Sequence, residues 1–117
     1  MRHRVSSKQL DRNRSERRAL LRSLARSLIK DGRIRTTVTK AKALRSFIEP
    51  LVTKAKKDTL SNRRLIASKL PDKHAVKKLF GDYGPRYSER PGGYVRVIRV
   101  SGYRRGDAAQ LAEVQWV

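Results

Sequence analysis

The sequence predicts an α+β protein, with about four helices packed on a small (two- to three-stranded) β-sheet and an extended basic N-terminal arm. Three observations predict it. Apolar residues recur at helical spacing between residues 14 and 80. The stretches "YVRVIRV" (94–100) and "LAEVQWV" (111–117) alternate and are rich in β-branched or aromatic residues, as half-buried strands are. The opening "MRHRVSSKQLDRNRSERR" holds seven Arg or Lys and only Met1, Val5 and Leu10 as apolar residues. Helices precede strands, an order that favours helices gathered on a small sheet over alternating βα units.

The length of 117 residues suits one domain. Its expected parts are an arm at 1–13, a mainly helical region at 14–80, a Gly/Pro loop at 81–93 and a β-hairpin at 94–117. The arm is too polar to offset its own ordering entropy. A helix begins around Asn13 to Ser15, where Asn13 with Glu16 has capping-box spacing and Ser15 is a competing cap. Leu20, Leu21, Leu24, Ala25, Leu28 and Ile29 form its apolar stripe, and Gly32 ends it. "RIRTT" (33–37) is short and β-prone and supplies a strand able to join the hairpin. From about Thr39 a second helix places Ala41, Leu44, Ile48, Leu51, Val52 and Ala55 on one face. Pro50 falls inside it and lacks an amide donor, but the apolar phase continues through it, which predicts one bent helix rather than two. "LSNRRLIASKL" (60–70) reads as a third helix capped near Ser61. "DKHAVKKLF" (72–80) reads as a fourth, capped by Asp72 and ended by Gly81. The glycines and prolines of "GDYGPRYSERPGG" then predict a loop, and "SGYRRGDAAQ" (101–110) the connection of the hairpin.

Thirty Lys and Arg against ten Asp and Glu give a formal charge of +20 and a pI near 11.5. Such self-repulsion disfavours a compact state unless a polyanion neutralises it, and nucleic acid is the polyanion this composition fits best. Residues 1–60 carry eighteen of the cations against five acids, so the N-terminal half is the stronger electrostatic surface. No apolar run approaches a membrane span. Absence of cysteine excludes disulfides and thiolate metal sites and fits a reducing compartment. Without an apolar core segment the N-terminus does not read as a signal peptide. Asp11, Glu16 and the direct continuation into a helix oppose a transit peptide. Residue 1 is therefore read as the true start and the cytoplasm as the compartment.

Within the first helix Arg18, Arg22, Arg26 and Lys30 follow one another at i+4 without acidic partners. Like charges so spaced repel by a few tenths of a kcal/mol per pair, so external phosphates are the expected counter-charge. Arg14 of the same helix and Lys8 and Arg12 of the arm are expected to bind RNA as well. The segment "GPRYSERPGGYVR" combines glycines, Arg86, Arg90 and Arg96 with Tyr83 just before it and Tyr87 and Tyr94 within it. Two readings stay open there: glycines that merely permit turns, or a phosphate-contacting loop whose tyrosines stack on bases or riboses. At the hairpin tip, the basic "YRRGD" leans toward contact through Arg104 and Arg105.

Enzymatic readings find little support. His3 and His74 have no partner at metal-ligand spacing, and neither a phosphate-binding loop nor a nucleophile elbow is present. Asp31, Glu49, Asp107 and Glu113 read as surface charges or ion-pair partners, and Phe47 and Trp116 as core. No cofactor, metal, small-molecule substrate or membrane partner is expected.

Seven motifs in register then carry a family resemblance: "MRHR" at the start, "TTVTKAKALR" (36–45), "IEPLVTKAK" (48–56), "NRRL" (62–65), "GPRY" (84–87), "RPGGYVRV" (90–97) and "RRGDAA" (104–109). In this order, over essentially the whole chain, the sequence resembles the bacterial large-subunit ribosomal protein seventeen family. The resemblance implies an α+β structural component of the large ribosomal subunit, without catalytic activity. It implies binding to large-subunit ribosomal RNA near the exit of the nascent-peptide tunnel, and neighbouring large-subunit ribosomal proteins as further partners. Through the matched motifs it implies RNA-facing roles for Arg2, His3, Arg4, Lys40, Lys42, Arg45, Arg86, Arg90 and Arg96. A DNA-binding nucleoid or regulatory protein is the alternative on composition, opposed by the strand expected between the two long helices.

Overall fold

Asn13 opens the first helix, α1 (Arg14–Asp31), because its side-chain oxygen accepts the Glu16 amide at 2.8 Å and so satisfies a donor that has no intrahelical acceptor. The computed structural model describes residues 13–117, so the arm and the expectations placed on Arg2, His3, Arg4, Lys8 and Arg12 lie outside the described residues. Gly32 closes α1 in the left-handed conformation (φ 85°), a backbone state that a Cβ disfavours, and its amide donates to the Leu28 carbonyl. Ala25, Leu28 and Ile29 are the buried residues of α1, while Leu20, Leu21 and Leu24 are half-buried.

The chain then enters strand β1 (Arg33–Thr37), whose last residue caps α2 (Val38–Ala55) by accepting the Lys40 amide. The expected face of α2, from Ala41 to Ala55, is buried throughout. The helix runs through Pro50 unbroken, as the apolar phase predicts, with the proline itself exposed. Helix α3 (Leu60–Lys69) starts one residue before the expected cap, Ser61. Thr59 takes the role by accepting the Asn62 amide, while the Asn62 side chain donates to the carbonyls of Lys54, at the end of α2, and Lys57, just beyond it. Asp72 caps α4 (Lys73–Lys78), accepting the amides of His74 and Ala75.

Gly81 does not end this fourth helix. Helical structure continues through a π-helical turn, Leu79–Tyr83, and one further turn, Gly84–Arg86, so the irregular loop begins only after Arg86. The amide of Gly84 donates to the carbonyl of Leu79, five residues back, which is the widened turn itself. Glycine is needed at 84 for closeness: a Cβ there would stand 2.5 Å from the Ala55 carbonyl oxygen at the end of α2. One of the glycines read as loop formers thus lets two helices approach.

Strands β2 (Val95–Tyr103) and β3 (Gln110–Trp116) form the expected hairpin, with a register irregularity between Arg99 and Tyr103. β1 joins it on the far side of β3, giving an antiparallel sheet in the order β1-β3-β2. One face carries Ile34, Ala112, Val114, Val95 and Val97 toward the helices, and these pack in a single core with Leu28, Leu44, Ile48 and Val52. Phe47 and Trp116 pack against that core as half-buried residues. Tyr83 stacks on Trp116 with ring centroids 4.0 Å apart, and the Tyr87 hydroxyl donates to the Val117 carbonyl at 2.7 Å.

Glu49 departs from its expected part as a surface charge or ion-pair partner. Its carboxylate accepts the amides of Tyr94 (3.2 Å) and Val95 (3.1 Å), which fastens the start of β2 to the middle of α2.

Candidate nucleic-acid interface

The periodicity that buries Ala25, Leu28 and Ile29 turns the cations of α1 away from the core. They do not share one open face. Helix α1 is instead a wall common to two clefts. The first, of about 450 Å³, lies among α1, α2 and α3 and receives Arg18 and Arg22. The second, of about 440 Å³, lies between α1 and α4 and receives Arg26 and Lys30, joined by His74 and Lys78. Arg14 is exposed in the first turn.

Among the described residues four ion pairs form: Arg33 and Arg35 with Glu113, each at 3.9 Å, Arg63 with Asp58, and Arg104 with Asp107. None involves a cation of α1 or α2. Arg22 is half-buried and donates from Nε to the Lys69 carbonyl at 3.0 Å, so it also ties α1 to the end of α3. On α2, Lys42 and Arg45 are exposed and Lys40 is half-buried.

The expected RNA-facing residues of the C-terminal half are dispersed. Arg86 lies over the rings of Tyr83 and Tyr87, 4.9 and 5.9 Å from their centroids. Arg90 donates from Nε to the carbonyls of Gly92 (2.9 Å) and Gly93 (3.2 Å), and its own carbonyl accepts from the Lys56 ammonium, so it shapes the loop it belongs to. Arg96 is on the solvent face of the sheet. There it neighbours Gln115, which pairs on its other side with Arg33. Arg105 is exposed at the hairpin tip, where Arg104 is taken up by Asp107. That pairing, helped by the Ala109 amide, lowers the Asp107 carboxyl to about 2.

Burial corrects the expectation for the tyrosines. Tyr83, Tyr87 and Tyr94 are 3%, 4% and 1% exposed, so none offers a ring face to a base in this fold. Tyr94, expected to contact RNA, instead has its hydroxyl between Thr53 (3.3 Å) and the Lys56 ammonium (3.1 Å). The bond with Thr53, reinforced by Lys56, holds that hydroxyl below the usual tyrosine range. Burial pushes the Tyr83 hydroxyl up.

Sequence reasoning passed over Arg17, Lys69 and Lys78, which complete the two cleft walls, and Arg33 and Arg35 on the sheet. The alternation of "RIRTT" held a signal for the last two. Nothing local marks Lys69 or Lys78, because their part depends on which helix lies opposite. Among the described residues no group of three His, Asp or Glu is placed to hold a metal ion, and no helix is long and apolar enough to cross a membrane.

A core of four helices on a three-stranded sheet, with its N-terminal helices edged by uncompensated cations, is the build of a structural protein that meets a polyanion. The model of the family described as ribosomal protein L17 matches residues 20–117, and the chain belongs to the ribosomal protein L17 family. It is a large-subunit ribosomal protein, part of the ribonucleoprotein that carries out translation in the cytoplasm, in a family that is structural rather than enzymatic.

Proposed function

We propose that this chain binds and stabilises large-subunit ribosomal RNA near the exit of the nascent-peptide tunnel. The observation that carries the binding is the set of α1 and α2 cations without ion-pair partners among the described residues, Arg18, Arg26, Lys42 and Arg45 foremost. Bringing six basic residues onto one 18-residue helix against two acids makes sense when phosphates supply the balance. Arg86, Arg96 and Arg105 extend the contact to the other end of the molecule, and the basic arm adds its charges at the start of α1. The position near the tunnel exit follows from the family resemblance. The DNA-binding alternative loses its main support, because β1 separates the two long helices and is paired in the sheet.

The test is equilibrium binding of the full chain to a large-subunit RNA fragment over a range of salt. Arg26→Gln should keep the fold and reduce the slope of log affinity against log salt by roughly 0.7–0.9, one phosphate contact. Leu28→Ala, in contrast, should cost about 2–5 kcal/mol of stability. An unchanged slope for Arg26→Gln would remove the helix from the interface. For the position, a photo-crosslinker placed at Arg105 in assembled large subunits should recover RNA lining the tunnel exit.

A further inference from the structure

The cleft among α1, α2 and α3 differs in kind from a row of phosphate contacts. Arg17, Arg18 and Arg22 from α1 and Lys69 from α3 line it, and no carboxylate is among its described lining residues. Between these cations lie Leu21 and Phe47, both half-buried, and the exposed ring of Pro50. Resting on the reading that this chain binds ribosomal RNA, we infer that this cleft seats a single nucleotide displaced from the RNA stack, base against Phe47 and Pro50 and phosphate toward the arginines.

Three observations favour that occupant. A duplex backbone asks only for cations, and would leave the apolar surface of Leu21, Phe47 and Pro50 facing water. A splayed nucleotide supplies both an apolar base face and a phosphate, which is the usual way proteins read RNA outside its helices. The volume of about 450 Å³ also falls in the range, roughly 300–1,000 Å³, of sites that enclose small ligands. Finally, the Arg22 bond to the Lys69 carbonyl fixes its guanidinium between α1 and α3, and its two terminal nitrogens carry no bond to the described residues. The second cleft offers no such floor. Its apolar members Ile29 and Ala75 are buried, and it includes the Asp72 carboxylate, so it suits backbone contact only. Pro50 also gains a reason: a proline inside a helix gives up a backbone hydrogen bond, and a stacking surface in this cleft puts that loss to use.

The test combines affinity with crosslinking, using the full chain and a large-subunit RNA fragment carrying 4-thiouridine. Ser68 is exposed on the α3 rim of the cleft, and Ser68→Trp fills it without removing a cation. The variant should weaken binding by about 5- to 150-fold, the worth of one stacked base, with the salt slope lowered by no more than roughly 0.7, one phosphate contact. Wild-type protein should crosslink through the α2 peptide containing Phe47 and Pro50, and Ser68→Trp should abolish that crosslink. If Ser68→Trp melts at a lower temperature, Pro50→Ala serves in its place, with a smaller loss of affinity and a reduced α2 crosslink expected. A folded variant that binds like wild type, with no crosslink in α2, overturns the nucleotide seat while RNA binding stands. The same result with impaired entry into large subunits also overturns it and gives the cleft to a protein neighbour. Failure of the wild-type chain to bind RNA in a salt-dependent way would instead defeat the RNA-binding reading itself.

Discussion

The indole N–H of Trp116 donates to the Leu28 carbonyl at 3.1 Å, across 88 positions of sequence. It belongs to a set. The Tyr83 hydroxyl donates to the Ile29 carbonyl (3.0 Å) and the Lys78 ammonium to the Lys30 carbonyl (3.2 Å), so the last turn of α1 is capped largely by side chains from β3 and from α4 and its extension. The end of a helix leaves its carbonyls without intrahelical donors and carries partial negative charge, and these donors answer both. The orientation of α1, and with it the placing of its cations, is therefore held from the C-terminal half. Trp116→Phe keeps an aromatic ring against Tyr83 and deletes the donor. It should cost about 1 kcal/mol in urea denaturation, with faster amide exchange at the C-terminal end of α1.

Glu49 is a second latch. Its carboxylate serves two adjacent amides, Tyr94 and Val95, and a charged acceptor roughly doubles what a neutral one contributes. Glu49→Gln presents one acceptor oxygen, so one amide must lose its partner. The expected loss is about 1–3 kcal/mol, with amide exchange of Tyr94 and Val95 accelerating more than that of β3.

Gly84 tests the close approach of helices. With an added Cβ only 2.5 Å from the Ala55 oxygen, Gly84→Ala forces backbone to move against backbone, whereas Gly81→Ala meets nothing within 4 Å. The first should destabilise by about 1–3 kcal/mol in thermal or chemical melts. The second, at a helical glycine, should be neutral to stabilising.

The hairpin tip gives a pH prediction. Asp107 has its carboxyl lowered to about 2 from 3.8 by the Arg104 side chain first and the Ala109 amide next. A lowered folded-state pKa means the tip is favoured above about pH 3.8, and that this contribution is lost as pH falls through about 2. Arg104→Gln should return the Asp107 titration toward 3.8, read by carboxyl NMR shifts. The pair is exposed, so global stability should scarcely change.

Much of the architecture is legible in the sequence. The apolar phase through Pro50 indicated one helix and α2 is one helix, because burial of Leu51, Val52 and Ala55 depends only on their angular position. Asn13, Gly32 and Asp72 were readable as caps because capping is decided within three or four residues. Strand alternation at 94–100 and 111–117 was readable for the same local reason, although β2 runs on to Tyr103, into the stretch read as connection. What tertiary structure decided were matters of distance between segments remote in sequence. A glycine signals equally a turn or a close contact, and only the position of Ala55 made Gly84 the latter. An arginine-flanked tyrosine reads equally as a stacking platform or a core residue. Tyr94 became core because Glu49 and Thr53 on one face of α2, with Lys56 just past its end, receive it. Charge placement followed the same rule: the period of α1 determined which cations point outward, but the arrival of α3 and α4 beside it divided them between two clefts.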